Sequence, residues 1–170
     1  HVCFGMHGYS YVDPQKFPLL ILNNLIGGGM SSLLFQKVRE DLGLVYSIYS
    51  FYDFFLDDGL IGVYFSADPT NIDLILEVIR NELAAIKRDS ISPDVLFNMK
   101  NQFKGELMLG LESTISRMNR LARNELYLGT YHTLDSVLHK IDEVTIDSVM
   151  QVADELFNDD NYFTTILSPK

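Results

Sequence analysis

The order of apolar and polar residues predicts strands near both ends of the chain. A strand-like alternation predicts the first strand, and runs rich in aromatic and β-branched residues predict three more. The Asp58-Gly59 dipeptide between two of these runs is typical of a hairpin turn. The predicted strands cover residues 2–11, 44–51, 60–67 and 162–167.

Apolar residues that recur every three or four positions predict helices elsewhere in the chain. Asp13-Pro14 is expected to begin the first helix, and Ser92-Pro93 a later one, because proline suits the first helical turn. Thr145 is the expected cap of the last helix. The predicted helices cover residues 14–26, 33–41, 71–88, 93–111, 115–128, 134–141 and 146–157.

This order of elements predicts an α+β fold, in which a mostly antiparallel sheet carries helices on one face. A length of 170 residues suits a single domain over residues 1–170, and such a domain should bury roughly 70 % of its unfolded surface. The chain opens directly in a strand-like pattern, HVCFGMHGYS, with no initiator Met. We therefore expect a domain excised from a longer protein.

Composition and charge argue against several classes of partner. No apolar run approaches the roughly 20 residues that cross a bilayer, so no membrane association is expected. A net charge of −10 argues against nucleic acid or an anionic membrane surface as the main partner. Cys3 is the single cysteine, and its apolar surroundings predict a buried, unreactive thiol in a reducing, cytoplasmic compartment.

The residues alone contain no complete catalytic apparatus. None of the four histidines lies in an H-x-x-E-H or H-E-x-x-H motif, so we expect no metal in this domain. His132 and His139 have no carboxylate or cysteine at ligand spacing, which favours surface or core roles for them. The glycines at 27–29 lack the lysine of a phosphate loop and follow a predicted helix. They are either a flexible connection or a place where another backbone comes close.

Arg39 and Tyr46 are the candidate functional pair. Arg39 is predicted on the last turn of the short helix, which Gly43 ends in a left-handed conformation. Tyr46 is predicted in the next strand, on the same face as Ile48 and Ser50. Together the guanidinium and the phenol could hold a carbonyl and stabilise the oxyanion that it becomes. The structural alternative is that Arg39 stabilises the helix end through the dipole while Tyr46 fills the core.

The stretch LIGGGMSSLLFQKVREDLGLVYSIYSF resembles the second domain of pitrilysin/insulinase-type zinc peptidases, the inverzincins. Within that family it is most similar to the bacterial processing-protease branch, which is related to mitochondrial processing peptidase. The segments HVCFGMHGYSYVD, ADPTNID and STISRMNRLARNELYLG also resemble this domain, so the resemblance covers essentially the whole chain. In that family, one half of a closed chamber binds zinc through H-x-x-E-H, and the facing half contributes an arginine and a tyrosine separated by six residues.

The resemblance implies that this chain is the zinc-less half, which binds peptides or unfolded segments for a zinc endopeptidase. Arg39 and Tyr46 would be its catalytic residues, and the zinc would sit on a peptidase domain supplied in cis or in trans. The isolated chain is expected to be inactive. The implied substrate-binding residues at the chamber wall are Gly27, Gly28, Gly29, Ser31 and Ser32, and the two serines are also expected to cap the short helix.

Two other functions remain open. The same fold serves as core subunits of respiratory complex III and as inactive partners in peptidase heterodimers, so a non-catalytic structural subunit is the main alternative. A plain α+β interaction module is the other. One departure concerns Leu33, where the family usually has arginine, so substrate preference cannot be carried over. An apolar face freed of its partner half is expected to favour a homodimer.

Overall fold

The computed structural model describes residues 1–168 and confirms the predicted α+β fold class. In these residues four strands form one antiparallel sheet in the order β2-β3-β1-β4. The strands are β1 (Val2–His7), β2 (Val45–Phe54), β3 (Gly59–Ala67) and β4 (Phe163–Ile166). The α-helices are α1 (Lys16–Gly27), α2 (Ile72–Asp89), α3 (Pro93–Gly110), α4 (Thr114–Leu128), α5 (Leu134–Asp142) and α6 (Ile146–Leu156). A π-helix (Phe35–Asp41) lies between α1 and β2, and short 3₁₀ turns cover Pro69–Asn71 and Asp159–Asn161.

The helix starts follow from capping side chains. Ser92 accepts a hydrogen bond from the Val95 amide at 3.3 Å and is followed by proline, which begins α3 as predicted. Thr145 and Ser148 form a reciprocal capping box at the start of α6, so the predicted cap is confirmed. At α1 the Asp13 carboxylate accepts from the Gln15 amide at 2.7 Å, and regular helix begins only at Lys16.

The core lies between one face of the sheet and the helices. Phe4 on β1 and Phe65 on β3 point into it and are fully buried. Helix α1 packs on β2 and also contacts α3 and α6, while α2 packs on α6. This buried interface explains why α1 is apolar along most of its length, since nine of its twelve residues are buried. None of the helices within residues 1–168 combines the length and apolar character that a membrane crossing requires.

The opposite face of the sheet is open and aromatic. Tyr49 and Tyr64 lie on neighbouring strands with ring centroids 4.9 Å apart, and the Phe163 ring lies across Gly5. The prediction that Cys3 is buried is wrong, because its thiol is exposed on this face. Alternation along β1 places Phe4 in the core and therefore Cys3 on the other side.

Candidate functional site

The three glycines allow a close approach of α1 and β2. Gly27 is the last residue of α1, and a Cβ there would overlap the Ser50 amide nitrogen and lie 2.8 Å from Ser50 Oγ. Gly28 ends the helix, and its amide donates to the Asn24 carbonyl at 3.1 Å. The sequence allowed two interpretations of these glycines, and at Gly27 the structure shows the close approach of another backbone.

Two buried asparagines hold this glycine segment in place. Ser50 Oγ donates to the Asn23 carbonyl oxygen at 2.8 Å, which ties β2 to α1. Asn24 is 4 % exposed, and its amide donates to the Met99 carbonyl at 3.4 Å and accepts from Gln102 at 3.3 Å. Sequence reasoning missed this pair. The available signal was an Asn-Asn dipeptide inside an apolar helix, directly before the glycines.

The two serines do not cap the following helix, so that prediction is wrong. Ser32 is buried and its hydroxyl donates to the Gly29 carbonyl at 2.6 Å, whereas Ser31 is exposed. Gln36 donates from its side chain to the Met30 carbonyl at 2.6 Å. Both side chains therefore bond to carbonyl groups of the preceding turn, Gly29 and Met30, and stabilise that turn.

The short helix is a π-helix over most of its length, which differs from the predicted α-helix. Its last turn is closed by a bond of 3.3 Å from the Leu42 amide to the Lys37 carbonyl, five residues back. Val38 is buried on its inner side, while Arg39 is exposed on the last turn, as predicted. The guanidinium carbon of Arg39 lies 4.8 Å from the centroid of the Phe35 ring.

A β-bulge determines where Tyr46 points. Val45 pairs with Ala67 and Ser47 with Ser66, so Tyr46 is the extra residue between two consecutive pairs. Its side chain is 74 % exposed, whereas Ile48 and Ser50 are buried. The predicted shared face is therefore wrong, and so is the alternative in which Tyr46 fills the core. Gly43, just upstream, has the expected left-handed conformation, with φ of 61°.

These elements surround a small cavity of about 340 Å³. Phe35 forms part of its wall and also carries the Arg39 guanidinium on its ring. Among residues 1–168 no carboxylate lies within ion-pair distance of Arg39, so its donors face solvent. Tyr46 does not line this cavity; it precedes the lining residues Ile48 and Tyr49 on β2. The lining residues are Gly27, Gly28, Gly29, Met30, Phe35, Ile48, Tyr49 and Ser50.

The cavity walls combine backbone and apolar ring surface. Glycine exposes backbone without a side chain, Phe35 and Tyr49 offer apolar rings, and the donors of Arg39 lie next to the Phe35 wall. No group of three or more His, Cys, Asp or Glu side chains within the described residues is arranged to hold a metal ion.

Comparisons with known proteins agree with this fold. A family profile described as "Peptidase M16 inactive domain" matches residues 1–103. The chain is 41 % identical over 169 residues to the uncharacterized zinc protease YmxG of Bacillus subtilis, covering 99 % of this chain and 41 % of that protein. The chain thus spans about two fifths of the length of this curated relative.

Solved structures share the architecture at low sequence identity. A protease from Helicobacter pylori has a TM-score of 0.87 and 21 % identity, covering 99 % of this chain and 41 % of that one. A chain of complex III2 from Candida albicans has a TM-score of 0.86 and 20 % identity, covering 96 % of this chain and 41 % of that one. At such identity these two likenesses describe the fold alone.

Proposed function

The chain belongs to the family of peptidase M16 inactive domains, and from that premise we propose that it forms the substrate-binding, zinc-less half of a zinc endopeptidase. The observation that carries this proposal is the exposed, unpaired Arg39 guanidinium on the Phe35 ring, beside a glycine-walled cavity. The family membership agrees with the resemblance described above. The substrate class is peptides or unfolded polypeptide segments.

Each side chain has a distinct role in this proposal. Arg39 binds the carbonyl next to the scissile bond through its fixed fork of donors. Tyr46, which the bulge turns outward, donates its hydroxyl to the oxyanion that forms during hydrolysis. Gly28 and Gly29 admit the substrate backbone, and Ser31 and Ser32 belong to the same substrate-binding segment.

The zinc would be held by residues outside this chain and would supply a water activated for attack on the peptide carbonyl. Nothing in residues 1–168 is required to act as the nucleophile under this arrangement. We expect the zinc-binding half to be either part of the same polypeptide or a partner subunit.

An exposed apolar surface supports docking against another half. The exposed apolar side chains on the consecutive helices α3 and α4, here called the α3–α4 patch, include Met108, Leu109, Met118, Leu121 and Leu126, each more than half exposed. Exposed apolar side chains concentrated on two consecutive helices favour an interaction surface. In the assembled enzyme the zinc-binding half would cover this patch. In a chain without that half, the same patch would allow two copies to form a homodimer.

The proposal is tested by Tyr46→Phe in the full-length protein, which removes one hydroxyl. We expect turnover of an unfolded peptide to fall by about 100-fold or more, with thermal unfolding unchanged. Tyr131→Phe is the matched control, because Tyr131 is exposed and lies outside the glycine-walled cavity. Equal turnover for wild type and Tyr46→Phe would reject the oxyanion role.

A non-catalytic structural subunit is the second candidate, because the exposed apolar side chains of α3 and α4 would serve assembly equally well. Under that function the full-length protein would hydrolyse no peptide with or without added zinc. It would instead depend on the α3–α4 patch for assembly, so Leu126→Glu would disrupt a complex while Tyr46→Phe would leave it intact.

A further inference from the structure

A second and larger cavity, of about 730 Å³, lies among the loop after β1, α1, the end of β2, α3, α4 and α5. It shares no lining residue with the glycine-walled cavity. Small-molecule sites usually have volumes of roughly 300–1,000 Å³, so this one is of ordinary size for a ligand. Much of its lining is apolar, and the aromatic and aliphatic contributors include Phe17, Leu20, Phe54, Phe103, Leu107 and Val137.

The charged side chains at this cavity are mostly basic, although the whole chain carries a net charge of −10. The basic lining residues are Lys16, Arg120, Arg123 and Lys140, and the acidic ones are Asp13 and Glu106. Basic groups therefore outnumber acidic groups here, against the trend of the protein. A concave site lined by one sign of charge attracts ligands of the opposite sign.

Tyr11 is the common neighbour of these cations. The Lys16 ammonium lies 4.3 Å from the centroid of the Tyr11 ring and donates to the Tyr11 carbonyl. Burial raises the pKa of the Tyr11 phenol, while the positive charges of Arg120 and Arg123 act in the opposite direction. Lys16 thus lies over the Tyr11 ring, and two further cations, Arg120 and Arg123, line the same cavity.

Lys16 is held in an unfavourable position for a cation. Burial lowers the pKa of its ammonium, the nearby charge of Lys140 lowers it further, and Asp13 offsets part of this effect. An anion bound between the two lysines would stabilise both charges at once. Among the described residues that line the cavity, the acidic side chains are Asp13 and Glu106.

Asn124 is the buried polar partner of Tyr11 at the wall of this cavity. It lines the cavity, is only 4 % exposed, and accepts a hydrogen bond from the Tyr11 hydroxyl at 3.1 Å. Its Nδ2 is buried and has no hydrogen-bond partner within residues 1–168. A buried donor of this kind is unusual in a native structure, because its water contacts are lost without replacement.

We propose that this cavity binds a small amphiphilic carboxylate. The apolar body lies among the side chains of α1, α3 and α5, and the carboxylate lies near Tyr11. There it pairs with Lys16 and the arginines of α4. This inference does not depend on peptide hydrolysis, so it stands or falls separately from the proposed function.

Titration of the 170-residue chain with octanoate and octanamide tests the proposal. The two probes share the same alkyl chain and differ in the head group, which is a carboxylate in one and a neutral carboxamide in the other. Calorimetry should give a dissociation constant of about 1 mM or below for octanoate, a range set by the size of the probe. Octanamide should bind at least about tenfold more weakly, and inorganic phosphate should not compete. In NMR spectra the side-chain amide of Asn124 should shift with octanoate.

Arg123→Gln is the diagnostic variant, because Arg123 is exposed and its replacement should leave the fold intact. It should weaken octanoate binding about fivefold or more and leave octanamide unchanged, whereas Lys37→Gln, outside the cavity, should change neither. Equal affinity for octanoate and octanamide would overturn the proposal. It would also be overturned by competition from phosphate, which would indicate a general anion site, or by no binding of either probe.

Discussion

The Arg39 guanidinium carbon lies 4.8 Å from the centroid of the Phe35 ring, one π-helical turn away. Such a contact at an exposed site is worth roughly 0.5–1 kcal/mol. Its effect here is to hold a flexible cation over the wall of the glycine-lined cavity. In the proposed function, Phe35 is therefore a positioning residue for Arg39.

Phe35→Leu should consequently lower kcat/KM of the full-length enzyme by about two- to fivefold, since roughly 1.4 kcal/mol corresponds to a factor of ten. Arg39→Lys should cost about tenfold or more, because an ammonium lacks the planar fork. The two effects should be less than additive in the double variant. Peptidase assays on all three variants measure this, with Arg88→Lys as the control. Full additivity would show that the ring does not act through Arg39.

The family resemblance in the sequence selects Arg39 and Tyr46 as candidates, but it does not predict the local geometry around them. Over seven residues the apolar pattern of an α-helix and a π-helix is the same, so only Val38 marks the buried side of the turn. The bulge at Tyr46 leaves only a weak signal in the sequence. Val45 and Ile48 are both buried although they are three positions apart, which a regular strand does not permit.

Much of the fold was predictable because its signals are local. Caps such as Ser92 and Thr145, and the helical period of α2, depend on neighbours in sequence. The exposure of Cys3 also follows from a local signal, the alternation along β1, which the prediction of a buried thiol overlooked. The contacts of Asn24 depend instead on partners far along the chain, such as Gln102, and no local pattern reports them.

Gly27→Ala should destabilise the chain by about 1–3 kcal/mol, because the new methyl group would overlap the backbone of β2 at Ser50. Gly105→Ala is a matched control. Gly105 lies inside α3, and a Cβ there meets nothing within 4 Å. It should stabilise the chain by roughly 0.5–1 kcal/mol. Urea unfolding of both variants measures the difference, and equal shifts for the two would contradict the close approach of α1 and β2.

Cys3 should react with a thiol reagent in the folded chain, because β1 places it on the open face of the sheet. We expect one thiol per chain to be modified by a maleimide without denaturant. Mass spectrometry after a timed quench measures the modified fraction. Modification that appears only in denaturant would mean that this face of the sheet is covered.

The Tyr9–Glu155 hydrogen bond should make stability depend on pH. Tyr9 donates to the Glu155 carboxylate, and with Gln151 this bond lowers the pKa of Glu155 below its ordinary value of 4.5. A carboxyl group whose pKa is lowered by folding stabilises the folded state above its unfolded pKa. That contribution is lost as the pH falls through the lower, folded pKa.

Tyr9→Phe removes the donor and should lower the unfolding free energy at pH 7 by about 1 kcal/mol, a modest value because Glu155 is exposed to solvent. The difference from wild type should shrink below pH 4.5, where the unfolded state takes up the proton. Chemical denaturation between pH 3 and 7 measures it, with Tyr131→Phe as the control. A constant difference across this range would show that the Tyr9 hydroxyl does not favour the ionised form of Glu155.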